Sequence, residues 1–274
     1  MTSTMKKSLY LRRFTIICRY FSHKRQKMMV VIDFLYEWLI FMPLFILWTI
    51  LASIVTILGC KFGDASYWGY KPGVIWGKVI CKLALCPVEI VGLEKLDPKT
   101  SYIFVANHQS AFDIFLLFGY MPQPFRWMLR KGIKKIPFLG AACDKAGQIW
   151  VDERGSQGLI HTVRQALNTL KGGTSMIIFP EGTRTNDGHL NRFKKGAYTL
   201  AAMLKLPVVP MTLDGPFHVL KIGSLRLHSH KLRVIIHDPL PAVTREEGNE
   251  AGIDRLLHDS QRAIAVSLGE PIQK

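Results

Sequence analysis

The chain has 274 residues, enough for one substantial domain and an appendage, and carries 36 Lys and Arg against 20 Asp and Glu for a net charge of +16. That balance leaves anionic lipid, nucleic acid and phosphorylated substrates as candidate partners. Five irregularly spaced cysteines (Cys18, Cys60, Cys81, Cys86, Cys143) exclude a disulfide framework and a Cys-x-x-Cys metal pattern, and they fit a reducing cytosol.

Residues 1–27 form a basic arm with eight Lys and Arg and no acid, so half of the net charge lies there. From Trp38 to Cys60 run 23 residues without Asp, Glu, Lys, Arg or His. As a helix they would reach roughly 34 Å, against about 30 Å of bilayer hydrocarbon. Pro43 and Gly59 permit a kinked or in-plane helix, and the nearby Trp and Tyr residues suit a lipid interface. A second apolar stretch, residues 72–93, is broken by Lys78 and Lys82 and reads as an amphipathic helix that Pro87 ends. Residues 28–87 are therefore expected to form a membrane-associated helical segment. The basic arm ahead of it favours a cytoplasmic placement of the flanks.

From Val88 the pattern becomes that of a globular domain, residues 88–274. Short apolar runs predict strands at Val88–Val91, Tyr102–Ala106, Arg126–Leu129, Ile149–Val151, Ser175–Phe179, Val208–Leu213 and Leu232–Ile236. Helix-period spacing predicts helices over 159–170, stopped by Gly172-Gly173, over 197–206, closed by Pro207, and over 253–268. The alternation implies an α/β fold: a largely parallel, twisted sheet flanked by helices, with its site where strands end and helices begin.

Two segments at such positions carry chemistry. Residues 107–113 read Asn-His-Gln-Ser-Ala-Phe-Asp. On a single helix, residues five apart lie about 140° apart around the axis, so His108 and Asp113 need a turn to meet. Ser110 to Asp113 reads as a capping box, with Ser110 at the N-cap. Asp113 can then fold back on one imidazole nitrogen and leave the other to accept a hydroxyl proton, as in a Ser-His-Asp triad whose hydroxyl belongs to the substrate. Residues 179–184, Phe-Pro-Glu-Gly-Thr-Arg, pair a Gly turn with a fork-shaped donor, Arg184, and make an anion cradle to which Lys194 or Lys195 can add charge. The remaining histidines lack metal-ligand spacing, so no metal is expected, and the absence of Gly-x-Ser-x-Gly weighs against a serine hydrolase.

Asn-His-Gln-Ser-x-x-Asp, Ile-Pro-Phe-Leu-Gly (136–140), Phe-Pro-Glu-Gly-Thr-Arg, Phe-Lys-Lys-Gly-Ala (193–197) and Val-Val-Pro (208–210), in this order, resemble the glycerolipid acyltransferase family, and specifically its bacterial 1-acylglycerol-3-phosphate acyltransferases. The resemblance implies acyl transfer from acyl-CoA or acyl-carrier protein to a lysophospholipid, without metal or cofactor and without nucleic acid as partner. Phosphatidic acid would be the product, made by a catalytic domain facing the cytoplasm from a bacterial inner membrane. It implies His108 as general base and Asp113 as its orienting partner. The acceptor site would draw on Glu181, Gly182, Thr183, Arg184 and Lys195, with Arg184 on the phosphate and Arg130 at a position where the family usually has Lys. One departure concerns the second block, where Glu153 stands at the expected Arg position and Arg154 follows one residue later. The alternatives are an acyltransferase for another lyso-lipid, such as a lyso-ornithine lipid, and a catalytically degenerate, membrane-tethered binding protein.

Overall fold

A computed structural model describes residues 31–151, 155–170 and 172–271. The basic arm, Asp152 to Arg154 and Lys171 lie outside the described residues. Residues up to Ile46 and residues from Leu47 onward form separate compact units.

In the first unit a helix begins at Val31, passes through a π-helical turn at Glu37–Phe41 and continues as α1 (Met42–Phe62) into the second unit. The widened turn directly precedes Pro43, whose ring and missing N–H disturb the carbonyls one turn back, so the expected kink takes the form of a π-bulge. Val31–Phe62 is long and apolar enough to cross a membrane, and only 17% of its most apolar window is buried. Within the second unit α1 leaves Leu47, Leu51, Leu58 and Phe62 exposed. Ser53 and Thr56 donate their hydroxyls to the carbonyls of Thr49 and Ala52, four residues back, so no polar group on this stretch calls for water. Gly59 does not bend the helix; it makes room for the Trp68 ring, against which a Cβ would stand at 2.5 Å.

Short α2 (Ala65–Trp68) leads to α3 (Lys71–Leu83), which ends four residues before Pro87 and packs on the α/β domain. Gly77 of α3 and Gly119 of α4 (Phe112–Tyr120) meet backbone to backbone; a Cβ on Gly77 would lie 2.4 Å from the Phe115 carbonyl oxygen. Trp76 fills the space beside them, edge-on to Phe115 and Phe118, and donates its indole N–H to Thr49. The boundary expected at residue 87 is thus bridged by packing, and α3 belongs to the same unit as the sheet.

All seven predicted strands form: β1 (Val88–Val91), β2 (Ile103–Ala106), β3 (Phe125–Arg130), β4 (Ile149–Val151), β5 (Ser175–Ile178), β6 (Val208–Asp214) and β7 (Leu232–Ile236). They build one sheet in the order β1-β7-β6-β2-β5-β3-β4. Every pairing is parallel except β6 with β7. The β2 and β5 strands are buried along their whole length, which is why they read as unbroken apolar runs. On one face Ile103, Val105, Met176 and Ile178 pack with α6 (Gly155–Thr169), α7 (Gly196–Leu204) and α9 (Asn249–Leu268). Between β3 and β4 stands α5 (Leu139–Lys145), which the sequence reading lacks; it is one Gly/Ala-rich turn and a half, too short to print a periodicity. After β6 comes α8 (Pro216–Val219).

The chain leaves β2 towards β3 on one side and returns from β5 to β6 on the other. The carboxyl end of β2 is therefore the switch point, where the loops diverge and leave a crevice.

Candidate active site

His108 stands just beyond the carboxyl end of β2. Asn107 fixes the turn by a double hydrogen bond to β6: its amide donates to the Leu213 carbonyl (2.9 Å) and its oxygen accepts from the Leu213 N–H (2.7 Å). The helix that follows begins one residue later than the capping-box reading has it, with Ala111 at the N-cap. Ser110 Oγ accepts from Phe112 N–H and donates to the Leu220 carbonyl. The other half of the box is made by Asp113, which is fully buried in the first turn of α4 and folds back on the loop. Its Oδ2 accepts from Gln109 N–H (2.7 Å) and Ser110 N–H (2.9 Å) and stands 2.7 Å from His108 Nδ1. The helix N-terminus further favours negative charge there. With Nδ1 held as the donor to Asp113, Nε2 carries the lone pair, and the side chain keeps 18% of its surface open. One face of the imidazole lies flat on Phe179, with centroids 3.9 Å apart and planes 7° apart, and Trp127 stacks on Phe179 in turn. The ring is thus constrained in direction by Asp113 and in plane by Phe179.

The second segment leaves β5 beside it. Glu181 is buried and turned inward: Oε1 accepts from His108 N–H (2.7 Å) and Oε2 from Asn191 N–H (3.0 Å). Burial pushes its carboxyl up to about 7, against the pull of those donors and with a smaller upward push from Asp113. Thr185 N–H donates to the His108 carbonyl and Lys194 N–H to the Pro180 carbonyl, so three strands of loop are laced together around Glu181.

With its one carboxylate spent inside, the outer side of this turn is cationic. Gly182 adopts φ +76°, open to glycine and strained for other residues, and a Cβ there would stand 2.8 Å from Lys194 Nζ. Arg130, at the end of β3, donates to the Gly182 carbonyl (2.9 Å). Arg184 and Thr183 are exposed, and Arg184 has no ion-pair partner among the described residues. Arg130, Arg184 and Lys194 thus converge on one exposed turn, a few residues from His108 across the crevice. Such a triangle of donors suits a phosphate.

The structure brings His108, Asp113, Glu181, Gly182, Thr183, Arg184 and Arg130 to one edge of the sheet. Lys195 departs from expectation: its ammonium pairs with Asp254 of α9 at 2.6 Å, which raises its pKa, while Lys194 faces the turn. Adjacent residues entering a helix point about 100° apart, so only one of the two lysines can serve the cradle. Arg154, and with it the Glu153 departure, lies outside the described residues. Sequence reasoning passed over Asn107 and Phe179 as individual actors; the motif contains both, but their partners lie 106 and 71 residues away along the chain. Among the described residues no three His, Cys, Asp or Glu side chains are grouped to hold a metal ion.

Residues 87–214 match the family model described as Acyltransferase. Over 182 residues the chain is 36% identical to a chloroplastic 1-acyl-sn-glycerol-3-phosphate acyltransferase of Brassica napus, covering 66% of this chain and 50% of that protein. It is 30% identical over 201 residues to a 1-acyl-sn-glycerol-3-phosphate acyltransferase of Limnanthes alba, covering 70% of each. The chain thus spans about half the length of the Brassica relative and more than two thirds of the Limnanthes one. The fold is that of the crystal structure of the 1-acyl-sn-glycerophosphate acyltransferase PlsC from Thermotoga maritima, with a TM-score of 0.72 at 22% identity over 89% of this chain and 99% of that one.

Proposed function

The chain belongs to the 1-acyl-sn-glycerol-3-phosphate acyltransferase family, and from that premise we propose that it moves a fatty acyl group from an acyl thioester to the free hydroxyl of 1-acylglycerol-3-phosphate, giving phosphatidic acid. The observation that carries this reading is the pairing of His108 Nδ1 with buried Asp113 at 2.7 Å, beside a turn lined by Arg130, Arg184 and Lys194.

In this mechanism the cations hold the acceptor phosphate and the unpaired His108 Nε2 meets the acceptor hydroxyl. As Nε2 takes the proton, the hydroxyl oxygen attacks the thioester carbon. The imidazolium is stabilised by Asp113 and by the face of Phe179. Collapse of the tetrahedral adduct breaks the C–S bond, and His108 returns its proton to the departing thiolate. General-base action of this kind contributes about 10²- to 10⁴-fold in rate. The step needs neither a metal nor a nucleophile from the enzyme; acyl-CoA or acyl-carrier protein serves as donor substrate.

An acceptor of this class resides in lipid, and the exposed apolar surface of α1 supports membrane attachment. The excess of Lys and Arg supports a catalytic domain on the cytoplasmic side of a bacterial inner membrane, facing anionic headgroups.

Purified full-length protein supplied with an acyl thioester and a panel of lyso-lipids tests the reading. Lysophosphatidate is expected to yield phosphatidate. Acylation of another lyso-lipid while lysophosphatidate stays inert would reassign the acceptor. No acyl transfer to any of them, with lipid binding unchanged in His108→Ala, would make the chain a binding protein.

A further inference from the structure

The carboxyl end of the sheet carries three loops besides those of the active site. One follows β3 (131–138), one follows α8 (220–231) and one precedes β1 (84–87). The last belongs to this end because β1 and β7 run opposite to β6: Leu232 N–H donates to the Pro87 carbonyl, and Arg233 stands opposite Asp214. The Ser110 to Leu220 hydrogen bond and the Arg130 contact with Gly182 tie the first two loops to the His108 crevice.

Each loop presents large apolar side chains to solvent: Leu85 (61% exposed), Ile136 (47%), Phe138 (48%) and Leu225 (68%). None of the three segments contains Asp or Glu. Lys131, Lys135, Lys221 and Arg226 are exposed among these apolar residues; Lys134 and Lys231 have carboxylate partners, Asp144 and Glu89, on neighbouring elements. The backbone supplies an independent sign. Only three non-glycine residues in the described chain have positive φ, and two of them are Leu85 (φ 55°) and Phe138 (φ 61°). The left-handed conformation is costly for such side chains and persists where the surroundings enforce it, commonly at sites of function. Here it accompanies apolar groups turned away from the core.

We propose that this rim is a docking surface for an anionic lipid bilayer, with Leu85, Ile136, Phe138 and Leu225 entering the headgroup–acyl boundary and the basic residues meeting lipid phosphates. Interleaved cationic and apolar side chains without acids are the combination that such an interface selects. The occupant follows from this complementarity: a protein partner would leave the lysines uncompensated unless it were itself acidic. The rim encircles the His108 crevice, so docking would seal the crevice mouth against the bilayer and admit an acceptor without a passage through water. This last consequence rests on the acyl-transfer reading above; the docking itself does not.

The test uses the full chain and the Phe138→Ser/Leu225→Ser variant. On an acceptor carried in phosphatidylglycerol vesicles the variant is expected to be slower by about tenfold, and on a short-chain, water-soluble acceptor to stay within about twofold of the parent. Equal loss in both assays, or loss in neither, overturns the proposal. Hydrogen exchange gives a readout without turnover: residues 131–138 and 220–231 should gain protection on phosphatidylglycerol vesicles and not on phosphatidylcholine vesicles. Absence of protection, or equal protection on both, also overturns it. Protection on the anionic vesicles from a chain that acylates no lyso-lipid would leave the docking intact and sink the acyl-transfer reading.

Discussion

The two turns at the carboxyl end of the sheet are neighbours built on opposite plans. In the His108 turn nearly every polar group is spent: Asn107 on Leu213, Asp113 on three donors, Glu181 on the backbone of both loops. In the Gly182 turn the side chains that matter, Arg184 and Lys194, stand exposed and await a ligand. The first plan suits a proton transfer, which demands that a nitrogen stay in place while charge develops. The second suits capture of a diffusing anion, which needs field and reach more than rigidity.

Deleting the base removes what the rigid turn exists to do. His108→Ala should lower kcat by about 10³- to 10⁴-fold, with KM for the acceptor little changed and the fold intact by circular dichroism. If KM rose instead with kcat preserved, the division between the turns would be wrong. Glu181 probes the cost of the rigid plan. Its carboxyl sits near 7 in the fold against an ordinary value of 4.5, so the native state binds the proton more tightly than the unfolded chain. Stability attributable to this group is therefore fully present below pH 4.5 and is lost as pH rises towards 7, on the order of 3 kcal/mol in all. Glu181→Gln should flatten that part of the pH dependence in urea titrations; an unchanged slope between the two proteins would contradict the assignment.

Smaller effects belong to the exposed turn. Arg184→Ala removes one charge-assisted contact and should raise KM for a phosphorylated acceptor by about 10- to 100-fold while sparing kcat, more at low salt than at high. Phe179→Leu frees the plane of the imidazole and should cost about fivefold in kcat, recovered by Phe179→Tyr, as expected for an aromatic face worth about 1 kcal/mol. Least of all, Lys195→Ala should change KM by under about twofold, because an exposed ion pair with Asp254 contributes little. Lys194→Ala in the same assay should exceed it clearly, and equal effects would undo the distinction drawn between the two lysines.

What could be read from the sequence follows the same divide. Strands buried on both faces print themselves as apolar runs, and all seven were legible within a residue or two. The His108–Asp113 contact was legible because it is local, spanning five residues across a turn. Glu181 was visible as a motif member but its inward direction was not, since the N–H groups that claim it belong to His108 and Asn191, on separate loops. The choice between Lys194 and Lys195 was equally closed to inspection, because it depends on where α9 brings Asp254. Helix α5 left no trace in periodicity, being only Leu139–Lys145.

The glycine contact between α3 and α4 carries a consequence at a distance. Asp113 rides on the first turn of α4, and the seat of that helix is fixed where Gly119 touches Gly77. A methyl group at either glycine would act as a wedge, tilting the helix and swinging its far end. The imidazole would then lose its counterpart through leverage, with every residue of the active site still in place. In this molecule the alignment of the proton-transfer pair is set by the thickness of a helix crossing remote from it, so a harmless-looking alanine there has the reach of a change at His108 itself.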